Sequence, residues 1–148
     1  ASNFDIEMPL KRTKLDIEFS YEFWLFGLSS SAKFFKLAWA INKHLGLQLI
    51  RQKDHKIVNR DAEDSYYGIY NWICETGCIE LFKNKSMEGK AGYLIPEFSH
   101  FDYFVKIDCS LQSFSREEIL KELKDVPWIE YIAGLEVKDL KSKDNFLS

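Results

Sequence analysis

Residues 15–45 read LDIEFSYEFWLFGLSSSAKFFKLAWAINKHL, and their apolar positions change from a two-residue repeat to a helical repeat. Apolar and polar residues alternate over residues 15–23, which is typical of a strand with one buried and one solvated face. Residues 24–28 are apolar on both faces, so we expect this end of the strand to be covered on both sides. Ser30 or Ser31 is predicted to cap a helix that starts directly afterwards, because a serine oxygen accepts from an unpaired N–H of the first turn.

The predicted helix ends at Gly46, a residue type that readily takes the left-handed conformation found after helices. Its apolar side chains recur at helical spacing and are predicted to face the core. They are Phe34, Leu37, Ala38, Ile41 and Leu45, with Phe35 and Trp39 widening the same stripe.

Six further strands and one further helix are predicted downstream of Gly46. The strands are at 47–51, 66–74, 78–82, 93–95, 101–108 and 128–137, and the helix is at 116–124. Ser115 and Glu118 form a capping box at the start of this helix, and Gly77 turns the hairpin between the second and third of these strands. This order predicts an α+β fold: an antiparallel-rich sheet with two helices on one face, a ferredoxin-like sandwich or a relative of it.

The length of 148 residues fits a single domain. We expect a flexible N-terminal segment over residues 1–14, one α+β domain over residues 15–137, and a mobile tail over residues 138–148. Phe146 and Leu147 are the tail residues that would dock on the domain.

The aromatic content of 16% is high. Because each large ring buries about 150–250 Å² in a core, we expect some rings to remain on a surface and to serve as contacts there. The net charge of −3 argues against a protein that depends on phosphate contacts. Residues 1–60, however, hold 10 Lys and Arg against 6 Asp and Glu, whereas residues 61–148 hold 10 against 17. A basic first half leaves weak binding of RNA or of an acidic partner open, beside an ordinary mixed surface.

The chain has three cysteines, an odd and small number for 148 residues, which argues against a secreted scaffold held by disulfides. The first 13 residues contain no apolar run of the kind found in signal peptides. No segment approaches the roughly 20 apolar residues that span a bilayer. We therefore expect a cytoplasmic protein that does not associate with membranes.

Residues 95–103 read IPEFSHFDY and concentrate the groups that could act chemically. Pro96 fixes its own φ and marks the edge of a strand. Glu97, His100 and Asp102 would then converge near the start of the next strand. A carboxylate and an imidazole are the minimum for general acid–base chemistry, and three such side chains would also suit a metal ion.

Two other interpretations of this segment stay open. Glu97 and Asp102 would cap backbone N–H groups in a turn, and Tyr103 would be a core residue with its hydroxyl bonded. Alternatively, the segment would form a surface for a partner. We assign no catalytic or metal-binding residue, and the candidate binding residues are Pro96, Glu97, His100, Asp102, Tyr103 and Asn42.

Other motifs are weaker. Cys74 and Cys78 are predicted to face each other across the hairpin, as a disulfide, as metal ligands together with Cys109, or as ordinary packing. No CxxC pair, Walker loop or GxGxxG motif is present, so we expect no cofactor. Two short basic sites, residues 42–44 and residues 84–85, would contact phosphates but do not form a patch. The aromatic residues Tyr66, Tyr67, Tyr70 and Trp72 resemble the stacking rings of RNA-binding sheets, without the accompanying basic-glycine-aromatic motif.

The residues Ile95-Pro96-Glu97 followed by Asp102-Tyr103 resemble the bacterial IPExxxVDY family, with Phe101 where the family name has valine. The resemblance runs from about residue 23 to residue 137 and includes LAWAINK at residues 37–43. It implies a small cytoplasmic protein, and no catalytic residue is carried over because the family has no characterised activity. Members are expected to be encoded near ribonuclease III and fatty-acid synthesis genes, which is an association with RNA metabolism and not a mechanism.

The sequence therefore favours a non-catalytic interaction or adaptor domain that presents a strand edge or an aromatic surface to a protein partner or to a second copy of itself. The alternatives are a regulatory domain that binds a small molecule near Asn42 and Glu97, a hydrolase that uses Glu97, His100 and Asp102, and an RNA-binding domain.

Overall fold

A six-stranded antiparallel sheet lies at the centre of the computed structural model, which describes residues 23–59, 63–74, 77–87, 92–109 and 115–146. The strands are β1 (Trp24–Ser29), β2 (Ile50–Arg51), β3 (His55–Ile57), β4 (Ser65–Tyr67), β5 (Ile69–Cys74), β6 (Gly77–Lys83), β7 (Tyr103–Cys109) and β8 (Tyr131–Leu135). The helices are α1 (Phe34–Leu45) and α2 (Arg116–Lys124). The sheet order is β2-β5-β6-β7-β1-β8, and β3 pairs with β4 in a second, two-stranded sheet. The predicted N-terminal segment 1–14 and the alternating residues 15–22 lie outside the described residues.

α2 connects β7 to β8, and β1 lies between these two strands. α1 follows β1, and after the inserted strands β2 to β5 the chain enters β6, which is separated from β1 by β7. Two interlocked split βαβ units of this kind make the ferredoxin-like arrangement, which β5 and β2 widen on one edge. The predicted α+β class, an antiparallel sheet with two helices on one face, is confirmed.

The helices cover one face of the sheet with an apolar core. Leu37 and Ile41 of α1 and Leu123 of α2 are at most 1% exposed. They belong to one cluster with Phe26 of β1 and Val105 of β7, which are cross-strand partners. Burial of each such side chain favours folding by about 1.5–3 kcal/mol, so this layer fixes the helices to the sheet.

A second apolar core lies on the opposite face of the sheet. It contains Leu25 and Phe104, both fully buried, and Ile95 from the segment that precedes β7. Since Leu25 belongs to this core and its neighbour Phe26 to the first, the prediction that residues 24–28 are covered on both sides is confirmed.

The C-terminal segment supplies much of this second cover. Leu140 is 4% exposed and Phe146 is 2% exposed, although the sequence predicts a mobile tail over residues 138–148. Lys106, a buried lysine of β7, donates from Nζ to the carbonyl oxygen of Phe146 at 3.0 Å. The packed structure therefore continues beyond residue 137, because two widely spaced apolar anchors dock the chain without producing a periodic pattern. Leu147 lies outside the described residues.

The predicted ends of the helices are partly right. Gly46 takes the left-handed conformation at the end of α1, and Ser115 and Glu118 form the capping box of α2. The predicted serine cap of α1 is wrong: the N-cap residue is Lys33, which makes no side-chain cap hydrogen bond. Ser30 Oγ instead accepts from the backbone N–H of Ala32, before the helix begins.

The strands also differ locally from the predictions. The strand predicted at residues 66–74 is divided at Gly68, where a Cβ atom would lie 2.5 Å from the Phe34 ring. In the hairpin, Cys78 is paired with Ile73, and Cys74 with Gly77. The two cysteines are therefore not direct cross-strand partners, because the register differs by one residue from the predicted one.

No helix among the described residues is long and apolar enough to cross a membrane.

Candidate functional site

The segment that precedes β7 is held by one buried asparagine. Asn84 is 1% exposed, and its Nδ2 donates to the carbonyl oxygens of Phe98 at 3.1 Å and Phe101 at 2.9 Å. Its Oδ1 accepts from the backbone N–H of Ile95 at 2.9 Å. The sequence suggested a phosphate contact for Asn84, but all of these bonds are internal. Asn84 thus fixes both ends of the turn that contains the IPE residues.

Pro96 begins a short 3-10 helix, Pro96–Phe98, and does not mark a strand edge. The carboxylate of Glu97 accepts two hydrogen bonds from Ser142, one from the backbone N–H at 2.9 Å and one from the hydroxyl at 2.8 Å. Partial burial by itself would raise the pKa of the Glu97 carboxyl, but the hydrogen bonds that this carboxylate accepts, foremost those from Ser142, outweigh burial and lower the pKa below its usual value. Glu97 therefore links this segment to the C-terminal segment as a charged group.

Asp102 and Tyr103 both bind the connection between β1 and α1. Asp102 Oδ2 accepts from the backbone N–H of Ser30 at 2.9 Å, and the Tyr103 hydroxyl donates to the carbonyl oxygen of Ala32 at 2.7 Å. Burial, together with the negative charge of Asp102, raises the pKa of Tyr103 to about 12. Tyr103 is 5% exposed and stays protonated at neutral pH, so its hydroxyl remains a donor to this connection.

The three groups of the hydrolase hypothesis are directed to different partners. His100 is exposed, and its ring lies 4.3 Å from the Phe101 ring, whereas Glu97 binds the C-terminal segment and Asp102 binds the connection before α1. No group of three or more His, Cys, Asp or Glu side chains that could hold a metal ion occurs in the part of the chain that the structure describes. Among the described residues, no hydrogen bond joins two of these three side chains.

Asn42 lies apart from the other candidate residues. Its side chain closes the turn after α1, accepting from the backbone N–H of Leu49 at 2.8 Å and donating to the carbonyl oxygen of Leu49 at 3.2 Å. α1 covers one face of the sheet, and Glu97 binds the C-terminal segment on the other. The structure thus does not bring Asn42 and Glu97 into one pocket.

An exposed group of aromatic and basic side chains lies on α1 and in the turn after α2. This aromatic–lysine surface comprises Phe35, Lys36, Trp39, Lys43 and Trp128. The exposed fractions are 58% for Phe35, 56% for Trp39 and 47% for Trp128. The centroids of the two indole rings are 6.4 Å apart.

The helical spacing predicts that Phe35 and Trp39 belong to the buried stripe of α1, and this prediction is wrong. Leu37, Ala38 and Ile41 already fill the inward side, so the two large rings, one helical turn apart, lie outside it. The excess of rings over what the core requires was the signal for this surface.

Trp128 has an unusual backbone conformation. Its φ is 78°, and it is the one non-glycine residue with positive φ among the described residues. The backbone N–H of Ile129 donates to the carbonyl oxygen of Val126 at 3.3 Å, which closes a turn with Pro127 and Trp128 at its centre. Proline followed by positive φ is the pattern of a type II turn, in which the second central residue is usually glycine. The sequence predicted a strand here, which begins only at Tyr131.

The two lysines of the surface lie over its rings. Lys43 Nζ is 4.9 Å from the centroid of the Trp39 ring, and Lys36 Nζ is 6.0 Å from that of the Trp128 ring. Such cation–π contacts stabilise exposed sites by about 0.5–1 kcal/mol. Positive charge and apolar area are thus placed together on this surface.

Comparison of the chain with protein-family models, with curated proteins and with solved structures found no match.

Proposed function

We propose that this protein is a non-catalytic interaction domain that binds a protein partner through the aromatic–lysine surface. The observation that supports the proposal most directly is Trp128, an exposed indole at a backbone position that disfavours tryptophan. A second copy of the chain is the alternative partner, and the cytoplasm is the proposed location.

The left-handed conformation costs a residue other than glycine about 1–2 kcal/mol. Burial of the indole is only partial, since Trp128 remains 47% exposed and makes its ring contacts at the surface with Trp39 and Lys36. Strained residues of this kind cluster at functional sites. Tryptophan is also among the residues that contribute most to protein–protein binding. A role in binding accounts for both the strain and the exposure.

The IPE and DY residues act, in this proposal, as a structural latch. Asp102 and Tyr103 hold the chain at Ser30 and Ala32, directly before α1. These bonds fix the start of the helix that carries Phe35 and Trp39. The family resemblance would then reflect a shared framework, and the proposed link to RNA metabolism would concern the pathway of the partner.

Neither an enzyme nor a small-molecule sensor is favoured by a specific contact. Glu97, His100 and Asp102 have separate partners, and Asn42 closes a turn on the helical side of the sheet. We therefore propose no cofactor and no catalytic residue.

The test compares tagged wild-type, Trp39→Ala and Trp128→Gly proteins as baits in a nuclease-treated lysate of the source organism. Val58→Ala is the matched control, because Val58 is 71% exposed and lies outside the aromatic–lysine surface. We expect at least one protein that the wild type and the control retain and that both tryptophan variants retain about tenfold less or weaker, as for a central binding residue. Identical sets of retained proteins on all four baits would refute the proposal.

A further inference from the structure

We infer that the partner docks on the aromatic–lysine surface with an acidic segment, in which an apolar side chain contacts the indoles of Trp39 and Trp128 and carboxylates meet Lys36 and Lys43. This inference rests on the proposed function and specifies the chemistry of the partner.

The charged side chains of α1 itself are all basic. α1 reads FFKLAWAINKHL and contains no acidic residue. Lys33, Lys36 and Lys43 are all exposed on it or at its start. Within the described ranges, none of these three ammonium groups lies within ion-pair distance of a carboxylate. Their positive charge is available to a ligand.

The neighbouring carboxylates do not cancel this charge through direct contact. Glu130 accepts from the hydroxyl of Ser31 at 2.8 Å, and Glu122 lies 3.8 Å from His44 at the far end of α1. Asp125 is exposed at the end of α2, three residues before Trp128. Glu130 and Asp125 both keep their negative charge, because a serine hydroxyl does not neutralise a carboxylate. Three lysines against these two carboxylates leave the surface net positive, in a protein whose net charge is −3.

The position of the lysines determines which anionic ligand fits. The ammonium groups of Lys36 and Lys43 each lie over an indole ring, so positive charge and apolar surface are about 5–6 Å apart. A ligand that contacts both the lysine ammonium groups and the indole rings must carry negative charge next to an apolar group. Protein segments in which Asp or Glu alternates with leucine or phenylalanine have this arrangement.

Two other occupants fit less well. Stacking of nucleic acid bases requires accessible ring faces, but Lys36 and Lys43 cover a face of each indole. A second copy that used the same face would bring these lysines close to their own counterparts, and like charges that meet across an interface oppose binding.

The test uses the full chain and a phage-displayed library of random 12-residue peptides, with prior depletion on the Trp39→Ala/Trp128→Gly double variant. We expect the selected peptides to be rich in Asp and Glu and to contain at least one large apolar residue. Binding of a selected synthetic peptide should weaken about tenfold in the Lys36→Glu/Lys43→Glu protein, which reverses two charges at exposed positions. It should be nearly unchanged in Lys36→Arg/Lys43→Arg, which keeps the charges.

Selected peptides that are neutral or basic would overturn the inference, as would equal binding to the glutamate and arginine variants. Failure to select any peptide that distinguishes the wild type from the double variant would overturn it as well. Binding of a 12-nucleotide single-stranded RNA that requires both tryptophans would assign the surface to nucleic acid instead. In each case the capture experiment with Trp39→Ala and Trp128→Gly decides independently whether the surface binds a protein at all.

Discussion

Asp102 Oδ2 accepts a hydrogen bond from the backbone N–H of Ser30 at 2.9 Å, across 72 positions of the sequence. Ser30 is 5% exposed, so its N–H has little access to water as a replacement acceptor. We expect Asp102→Ala to lower the free energy of unfolding by about 1–3 kcal/mol, the cost of a buried donor left without a partner. Asp102→Asn, which keeps an acceptor oxygen, should lose less. Urea denaturation measures both, and equal midpoints for the wild type and the alanine variant would contradict the latch role.

Asn84 is expected to be the more critical residue of the same segment. Its side chain makes three hydrogen bonds to backbone groups of Ile95, Phe98 and Phe101, and it is 1% exposed. Asn84→Ala leaves all three backbone groups without this partner, so we expect a loss of at least about 3 kcal/mol of unfolding free energy. Lys85→Ala, an exposed neighbour, is the control and should change the unfolding free energy by less than about 0.5 kcal/mol. If Asn84→Ala lowered the free energy of unfolding by less than about 1 kcal/mol, the turn would be stable without the asparagine side chain.

The sequence predicts what local periodicity determines. The apolar run at residues 24–28 indicated a sheet covered on both faces, and Ser115 with Glu118 indicated the start of α2. Both follow from short-range rules of burial and capping. The fold class then follows from the order of helices and strands.

The candidate surface could not be predicted in this way. Which rings are exposed depends on which side chains fill the core and on contacts between residues far apart in the sequence. The helical spacing of Phe35 and Trp39 is compatible with the buried stripe. They are exposed because smaller side chains of α1 already fill the core. The positive φ of Trp128 opposes the preference of its own residue type, so no propensity predicts it. The partners of Glu97 and Asp102 lie far away in the sequence, and single-sequence patterns contain no information about such pairs.

The bond between Glu97 and Ser142 predicts a pH-dependent stability. The pKa of Glu97 is lowered in the folded protein, so its stabilising effect is complete above the ordinary carboxyl pKa and is lost as the pH falls through the folded-state pKa. We expect the difference in unfolding free energy between the wild type and Glu97→Ala to be larger at pH 7 than at pH 3. Denaturation at the two pH values measures it. A difference that grew on acidification would have the wrong sign.

The same variant tests the docking of the C-terminal segment. Removal of the Glu97 carboxylate deletes both hydrogen bonds to Ser142. We expect amide hydrogen exchange over residues 140–146 to become faster in Glu97→Ala, with little change in α2, which does not contact Glu97. Unchanged exchange over residues 140–146 would show that Leu140 and Phe146 hold the segment without Glu97.

The turn at Trp128 gives a prediction about strain that is independent of any partner. Trp128→Ala removes the indole but keeps a side chain at a φ of 78°, whereas Trp128→Gly removes the indole and also relieves the left-handed strain. That relief is about 1–2 kcal/mol, and the greater freedom of glycine in the unfolded chain offsets about 0.5–1 kcal/mol of it. We therefore expect the glycine variant to be more stable than the alanine variant by up to about 1.5 kcal/mol. Relative to the wild type, the loss of the indole contacts with Trp39 and Lys36 opposes this gain. Chemical denaturation of the three proteins measures these differences. If the glycine variant were less stable than the alanine variant, the turn would not be strained. The exposure of Trp128 would then be the only observation that supports a role in binding. If glycine matches the wild type in stability and still loses the partner, the indole is retained for binding and not for folding.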